Sequence, residues 1–470
     1  MFQPNGQLIA EIDTFLSENR TRFVDDLREL VKIPGVSEPD ERYPYGAECA
    51  RALDRAMAMA EGYGFTVRNR EYHCATCHLD GNGSTGKTIG IFEHLDVVPV
   101  SDDWAFPPFD VTEKDGYLIG RGVSDNKGMA VAALYALRFL KEKGIPLKND
   151  IYLFFGLSEE TGMQDITYFC DTYGAPDFGL VADTKYPVCF GEKGILRFAS
   201  WTKAQGNLTD FHAGNVVNTI PAAAVATLSS APAEALELLR KTERITVTEE
   251  GGQIKVASTG ISKHASMPEG SINAVYVLAD ALTKSGALNG SVAEAVAALA
   301  HFTSDAHGRT TGVPFEDAES GKLSCVGSVV RMAEGVMTVK YDIRYPVTVK
   351  GDDVRKGVSD YFAARGFETG DFDDDAPSFV QKDHPIPAVL GEISDYVLGR
   401  HLEPYTMGGG TYARQLPLAI GFGMADPDDQ GPFEAGRGGA HQPDEAVKRD
   451  TLLMGIKAYI LALIEADKLI

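Results

Sequence analysis

Three short apolar runs constrain this chain most. Ile89-Gly90-Ile91-Phe92, Ile151-Tyr152-Leu153-Phe154-Phe155 and Phe178-Gly179-Leu180-Val181 lack the polar alternation of a half-exposed strand, so each reads as a strand covered on both faces. Each run stops at titratable side chains: Glu93-His94-Leu95-Asp96, Ser158-Glu159-Glu160 and Ala182-Asp183. Between the first two, Met129 to Lys143 carries Ala130, Leu134, Leu137 and Leu140 at helical spacing and ends at Gly144. The alternation predicts an α/β fold, a mostly parallel sheet with helices on both faces, and such open sheets bind ligands beyond the carboxyl ends of their strands.

Local signals at those ends are open to two readings. His94 and Asp96 lie two apart on one strand face, which suits a metal ligand and its orienter but equally a hydrogen-bonded core pair. Asp125, in Gly122-Val123-Ser124-Asp125-Asn126-Lys127-Gly128, is either a ligand or simply the N-cap of the following helix. Glu159 and Glu160 are either site carboxylates or a solvated turn.

With 470 residues the chain exceeds one ordinary core, so two or three domains are expected. A hydrophobic share of 44% with 24% charged residues is that of a folded protein. The net charge of −23 repels nucleic acids and anionic membranes and suits a site for cations. No eighteen-residue apolar run is present, and Met1-Phe2-Gln3-Pro4-Asn5-Gly6 lacks a basic and an apolar leader region, so no membrane association and a cytoplasmic location are expected. Six cysteines, of which only Cys74 and Cys77 are close, read as reduced thiols.

Leu8 to Val31 predicts one or two amphipathic helices, Gly46 to Gly62 another, and Thr66 to Asn69 a strand. Two motifs then compete for attention. Cys74-Ala75-Thr76-Cys77-His78 matches a c-type haem attachment pattern, which would need an export route that the chain does not announce. Gly81-Asn82-Gly83-Ser84-Thr85-Gly86-Lys87-Thr88 matches a Walker A loop, but a phosphate loop needs a helix after its lysine, whereas Thr88 to Phe92 is strand sequence. The expectation is a glycine-rich hairpin turn between two antiparallel strands, with a nucleotide-binding protein as the alternative from another functional class.

The texture changes beyond Pro187. Extended segments at Arg197 to Lys203 and Gln253 to Ser258, helices at Ala222 to Leu228, Ala233 to Leu239 and Ile272 to Leu282, and strands at Leu323 to Arg331 and Val336 to Tyr345 predict an inserted α+β domain. The expected division is a catalytic domain over 1–190 and 380–470, interrupted by a lid or substrate domain over 191–379.

Combined, His94, Asp125, Glu160, Asp183 and His441 make two imidazoles and three carboxylates, each at an element end or in a glycine-rich loop. The set suits two zinc-like cations bridged by Asp125, with His94 and Asp183 on one side and Glu160 and His441 on the other. Glu159, beside ligand Glu160, is the natural base for a water proton.

His94-Leu95-Asp96-Val97-Val98-Pro99, Gly122 to Gly128, Ser158-Glu159-Glu160-Thr161-Gly162, Ala182-Asp183 and Ala440-His441 occur in one order across nearly the whole chain. In these segments the sequence resembles the dinuclear zinc metallopeptidases that include carboxypeptidase G, desuccinylases and carnosinases, and is most similar to their PepV-like dipeptidase branch. The resemblance implies two divalent metal ions, zinc first with manganese or cobalt also fitting. It implies His94, Asp125 and Asp183 on one metal, Asp125, Glu160 and His441 on the other, Asp96 as orienter and Glu159 as base.

In the inserted region, Gly260-Ile261-Ser262-Lys263-His264-Ala265-Ser266-Met267-Pro268 resembles the family's lid motif, which implies that His264 stabilises an oxyanion. Asn218, in Asn218-Thr219-Ile220-Pro221, matches a lid asparagine near substrate, although the usual glycine pair before it is Ala213-Gly214 here. Arg344, placed by alternation on the polar face with Lys340 and Asp342, is either a cross-strand ion-pair partner or a clamp for a substrate carboxylate. Gly409, Gly410 and Thr411, within Gly408 to Arg414, could approach a substrate backbone closely. The expectation is a metal-dependent dipeptidase, monomer or homodimer, acting on small peptides with a free C-terminal carboxylate; the alternatives are an N-acyl-amino-acid deacylase and a non-catalytic peptide-binding relative.

Overall fold

A computed structural model describes Phe2 to Ile470. The chain forms two compact units, one comprising residues up to Gly191, Phe379–Tyr405 and Gly410–Ile470, the other Glu192–Ser378 and Thr406–Gly409. Thr406–Gly409, which the sequence groups with the C-terminal segment, therefore packs with the second unit.

The first unit is built on a sheet ordered Thr66–Arg70, Cys74–Leu79, Asp150–Gly156, Thr88–His94, Phe178–Val181, Ala419–Gly421 and Cys189–Glu192. The four strands from Asp150–Gly156 to Ala419–Gly421 run parallel, and antiparallel strands flank them. Alternation divides the side chains between two cores. Ile89, Ile91, Leu153 and Leu180 pack with Leu27, Leu134, Leu137 and Ile456 from helices Gly6–Val31, Lys127–Glu142 and Arg449–Leu469. Phe92, Phe154 and Val181 pack on the opposite face with Ile166 and Phe169 of helix Gln164–Tyr173 and with Tyr412. Each such apolar side chain, fully removed from water, contributes about 1.5–3 kcal/mol, so both faces hold the strands in register.

That register sets the site. His94 pairs with Gly156 and Phe92 with Val181, so the residues after three parallel strands emerge at one edge.

The glycine-rich loop is not a hairpin turn. Cys74–Leu79 and Thr88–His94 both pair with Asp150–Gly156, which lies between them. The loop crosses over the start of that strand: the Gly81 N–H donates to Asp150 Oδ1 (2.8 Å), the Asn82 N–H to the Leu147 carbonyl (2.9 Å) and the Thr85 hydroxyl to Asn149 Oδ1 (2.5 Å). Turn composition reveals the reversal but not the strand that later inserts. Lys87 reaches the carbonyl of Ile470, and Thr88 opens a strand, so the helix start that a phosphate loop requires is missing at this position.

The second unit contains an eight-stranded sheet ordered Ile245–Glu250, Gln253–Thr259, Ala223–Leu228, Leu208–Ala213, Ser324–Ala333, Val336–Tyr345, Gly194–Lys203 and Glu368–Asp375. All these neighbours are antiparallel. Helices Ala233–Lys241, Ala274–Ser285, Ser291–Thr303 and Gly351–Ala363 share one core with it. Ala223–Leu228, expected as a helix from its alanines, is a strand: it is paired on both sides, and Ala224, Ala226 and Leu228 alternate into the core. Tertiary pairing outweighs the few tenths of a kcal/mol per residue that alanine gives a helix.

Candidate metal centre

His94 ends its strand fully buried. Its Nδ1 lies 3.0 Å from the Asp96 carbonyl oxygen and 3.4 Å from Asp96 Oδ1, so the backbone carbonyl is the closer of the two possible orienters. The Asp96 carboxylate instead accepts the N–H groups of Glu159 (3.3 Å) and Glu160 (3.1 Å), tying the next strand's turn to the histidine. On the other side of the ring, Nε2 faces Asp125 Oδ1 at 3.1 Å and Asp183 Oδ2 at 3.7 Å.

Asp125 is not the N-cap. Asn126 occupies that position without a side-chain capping bond, and the Asp125 carboxylate turns to the histidines instead. Its second oxygen, Oδ2, is 3.1 Å from His441 Nε2, which in turn lies 3.0 Å from Glu160 Oε1. One carboxylate thus stands between two imidazoles, each with a further acid beside it.

The donor set fits a pair of divalent cations. Ligand atoms of His94, Glu159 and Asp183 lie within 4.8 Å of one another, as do those of His94, Asp125 and Glu160. His94 Nε2 is buried without a hydrogen bond although carboxylates surround it. Two imidazole nitrogens with carboxylate oxygens is the chemistry of zinc-type sites. Without cations the cluster strains against its own charge. Burial, reinforced by neighbouring acids, raises Glu159 well above the usual carboxylate range and also raises Glu160 and Asp183. Burial also disfavours ionised Asp125, but the two imidazoles overcome this and hold it low. Asp125 and Glu160 push His441 up to about 10 despite desolvation. For His94 the burial penalty is the largest single effect, yet Asp125, Asp183 and Asp96 together raise it.

Three supporting residues escape sequence reading. Glu445, fully buried, accepts from Arg121 (2.7 Å) and from the N–H groups of Gly122 (3.0 Å), Ser124 (2.8 Å) and Asp125 (3.0 Å), fixing the loop that carries the bridging acid. Asp165 Oδ2 accepts from the N–H groups of Leu157 (2.6 Å) and Ser158 (2.9 Å) and from the Tyr412 hydroxyl, so it holds the glutamate turn from below. Burial, with Asp96 nearby, pushes Asp165 up to about 6. The Tyr412 ring stands edge-on to His94 with centroids 6.4 Å apart. Only Glu445, four residues after His441, carries a weak sequence signal.

The remaining sequence candidates divide between the units. Gly410 and Thr411 belong to the first, where the Thr411 hydroxyl accepts from the Ala413 N–H (3.2 Å) and opens the short helix Tyr412–Gln415. Asn218, His264, Arg344 and Gly409 belong to the second. There Thr219 forms an antiparallel bridge with His264, and the Asn218 carbonyl accepts from the Ala265 N–H (2.8 Å). Arg344 lies on the same strand face as Asp342, and both are buried. Its Nε and Nη2 donate to the two Asp342 oxygens (2.6 and 3.0 Å) and its Nη1 to the Gly408 carbonyl (2.7 Å). Two of its five N–H groups are left for another acceptor.

The model of peptidase family M20/M25/M40 matches residues 90–465. YtjP of Bacillus subtilis (strain 168) is 29% identical over 464 residues, which are 95% of this chain and 97% of that protein. The Beta-Ala-Xaa dipeptidase of Lactobacillus delbrueckii subsp. lactis is 28% identical over 471 residues, 95% of this chain and 96% of that one. Among solved structures, human carnosine dipeptidase 1 shares the fold with a TM-score of 0.60 at 17% identity, over 99% of this chain and 100% of that chain.

Proposed function

Because the chain belongs to peptidase family M20/M25/M40, and is therefore a metallopeptidase, we propose that it is a dipeptidase that hydrolyses short peptides with a free C-terminal carboxylate. The observation that carries this reading is Asp125 set between His94 and His441, at 3.1 Å from each, with the half-buried Glu159 alongside His94 and Asp183. The Beta-Ala-Xaa dipeptidase relative supports the substrate class. His94, Asp125 and Asp183 would hold one divalent cation, and Asp125, Glu160 and His441 the other. Bound there, two cations supply Lewis acidity to a scissile carbonyl and lower the pKa of water; zinc suits the donors best, with manganese or cobalt also compatible.

The chain's own residues do the rest. Glu159, raised by burial, accepts a water proton and returns it to the departing amine, a task that needs a base stronger than an ordinary carboxylate. Asp96 keeps the glutamate turn against the His94 strand. His264 donates to the developing oxyanion, and the free N–H groups of Arg344 take the substrate's C-terminal carboxylate. Asn218, Gly409, Gly410 and Thr411 complete the peptide contacts. In this reading the 191–379 segment is a lid whose closure excludes bulk water, and the protein works in the cytoplasm as monomer or homodimer. Among the described residues no helix is long and apolar enough to cross a membrane.

A parallel panel tests the reading: β-alanyl and α-dipeptides, their C-terminal amides, and succinyl- and acetyl-amino acids, each with metal-reconstituted protein. Hydrolysis confined to free-carboxylate dipeptides is expected, and a preference for acyl-amino acids would sink it.

A further inference from the structure

His264 and Ser266 share a short turn in the second unit, in which the Met267 N–H closes on the His264 carbonyl at 3.0 Å. Within it the Ser266 N–H donates to His264 Nδ1 at 3.2 Å, and the Ser266 hydroxyl lies 2.7 Å from the same nitrogen. A backbone N–H can only donate. Nδ1 must therefore be the unprotonated nitrogen of a neutral ring, and its proton must sit on Nε2. The opposite tautomer would aim an Nδ1–H at the Ser266 N–H, two donors with no acceptor between them, at a cost of about 1–3 kcal/mol.

The serine is itself held in place. Gly408 packs against it so closely that a methyl group there would lie 2.7 Å from Ser266 Cβ. The Gly408 carbonyl is fixed by Arg344 (2.7 Å), and Arg344 by Asp342. Asp342, Arg344, Gly408, Ser266 and His264 form one run of contacts inside a single unit. Nothing in the sequence pattern links them, since Gly408 is far along the chain from the other four.

We propose that Ser266 is a positioning residue that holds His264 as the Nε2–H tautomer, presenting Nε2 as a hydrogen-bond donor. The N–H favours this tautomer, and the hydroxyl, the closer of the two at 2.7 Å, donates to the same nitrogen and secures it; the consequence for turnover rests on the reading of His264 as an oxyanion donor.

The test uses the full-length, zinc-reconstituted protein labelled with ring-15N histidine, with the His264 signals assigned by their loss in His264→Gln. Above the imidazole titration, His264 Nδ1 is expected to resonate as an unprotonated nitrogen and Nε2 as a protonated one. Ser266→Ala, which removes the hydroxyl and keeps the N–H, is expected to move both signals toward a tautomer mixture. It should lower kcat by about 3- to 10-fold, the equivalent of one hydrogen bond, with KM changed less than about 2-fold, and Ser266→Thr should restore both. A protonated Nδ1 in the wild type, or a Ser266→Ala ring identical to the wild type, overturns the proposal. A shifted tautomer with unchanged kcat sustains it and overturns instead the oxyanion role of His264.

Discussion

The Asp125 N–H donates to Glu445 Oε1 at 3.0 Å, so the acid that stands between two imidazoles is itself held by a fully buried acid from the far end of the chain. Glu445 has both oxygens occupied, one by Arg121 and Gly122, the other by Ser124 and Asp125. Glu445→Ala leaves a buried guanidinium unpaired and three N–H groups without an acceptor, a loss of about 3–5 kcal/mol. Glu445→Gln keeps the shape but cannot accept at both ends, and should weaken metal binding by about 10- to 100-fold through Asp125. Chemical denaturation and metal titration against a competing chelator read the two effects. Unchanged metal affinity in Glu445→Gln would separate the loop from the site.

Glu159→Gln removes the proposed base and leaves the five expected ligands intact. The expectation is a fall in kcat of about 10²- to 10⁴-fold with KM and metal content near wild type. Steady-state kinetics beside elemental analysis of the same sample decides. A variant that keeps wild-type kcat with both metals bound would exclude Glu159 as the base.

If His441 is a metal ligand as proposed, protons and metals compete for it. In the metal-free protein its folded pKa is raised from 6.5 to about 10 by Asp125 and Glu160. A raised folded pKa means that the stabilisation is complete below the unfolded value and lost as pH climbs through the folded one. Metal-free protein should therefore lose stability between about pH 6.5 and 10. The metal-loaded protein, in which His441 is already deprotonated, should show a much flatter dependence and should release protons when loaded. Denaturant midpoints with and without metal across that range test this. Parallel curves would mean that His441 is not a ligand.

Arg344 offers a split between binding and turnover. With Nε and Nη2 on Asp342, Arg344→Met removes the N–H groups proposed for the substrate carboxylate and also leaves the buried Asp342 with only the more distant Arg197 Nε, 3.6 Å away, as a partner. KM for a free dipeptide should rise on the order of 10- to 100-fold, the equivalent of a charge-assisted pair, while the poor turnover of the dipeptide amide stays unchanged. Asp342→Asn is the control for loss of the ion pair: it keeps a positive charge at Arg344, so it should lower stability more than it raises KM. Equal KM changes for peptide and amide would return Arg344 to a purely structural role.

The five residues proposed as ligands stand out in the sequence because each lies at a strand end or in a glycine-rich loop, features that sequence spacing exposes. What escaped has a common cause. Glu445, Asp165 and Tyr412 act by accepting from or packing under residues distant in sequence, and such contacts leave no local period. The same limit misread Gly81 to Thr88 as a hairpin turn, since the strand that separates its two flanks lies beyond a helix. Ala223–Leu228 shows the opposite failure: a strong local preference for helix yields to pairing on both edges. For Arg344 alternation gives the face it shares with Asp342 but not its burial, because alternation reports direction and not depth.

Two glycine-to-alanine changes separate packing at the site from backbone propensity. Gly156 ends the strand that leads into the glutamate turn, and a Cβ there would lie 1.9 Å from the Tyr412 hydroxyl and 2.5 Å from Asp165 Oδ2. Both atoms are buried and hydrogen-bonded to each other, so Tyr412 cannot retreat without leaving Asp165, and Asp165 cannot retreat without releasing the Leu157 and Ser158 N–H groups. Gly156→Ala should cost at least the roughly 1–3 kcal/mol of overpacking and should depress kcat by displacing Glu159. Gly391 lies within helix Pro385–Leu398, where an added Cβ meets nothing within 4 Å. Gly391→Ala should therefore stabilise the protein by about 0.5–1 kcal/mol with kcat unchanged. Thermal and denaturant unfolding of the two variants, alongside kcat, reads both signs. If Gly156→Ala lost stability but kept full kcat, the Tyr412–Asp165 contact would serve the fold alone and not the placement of the base.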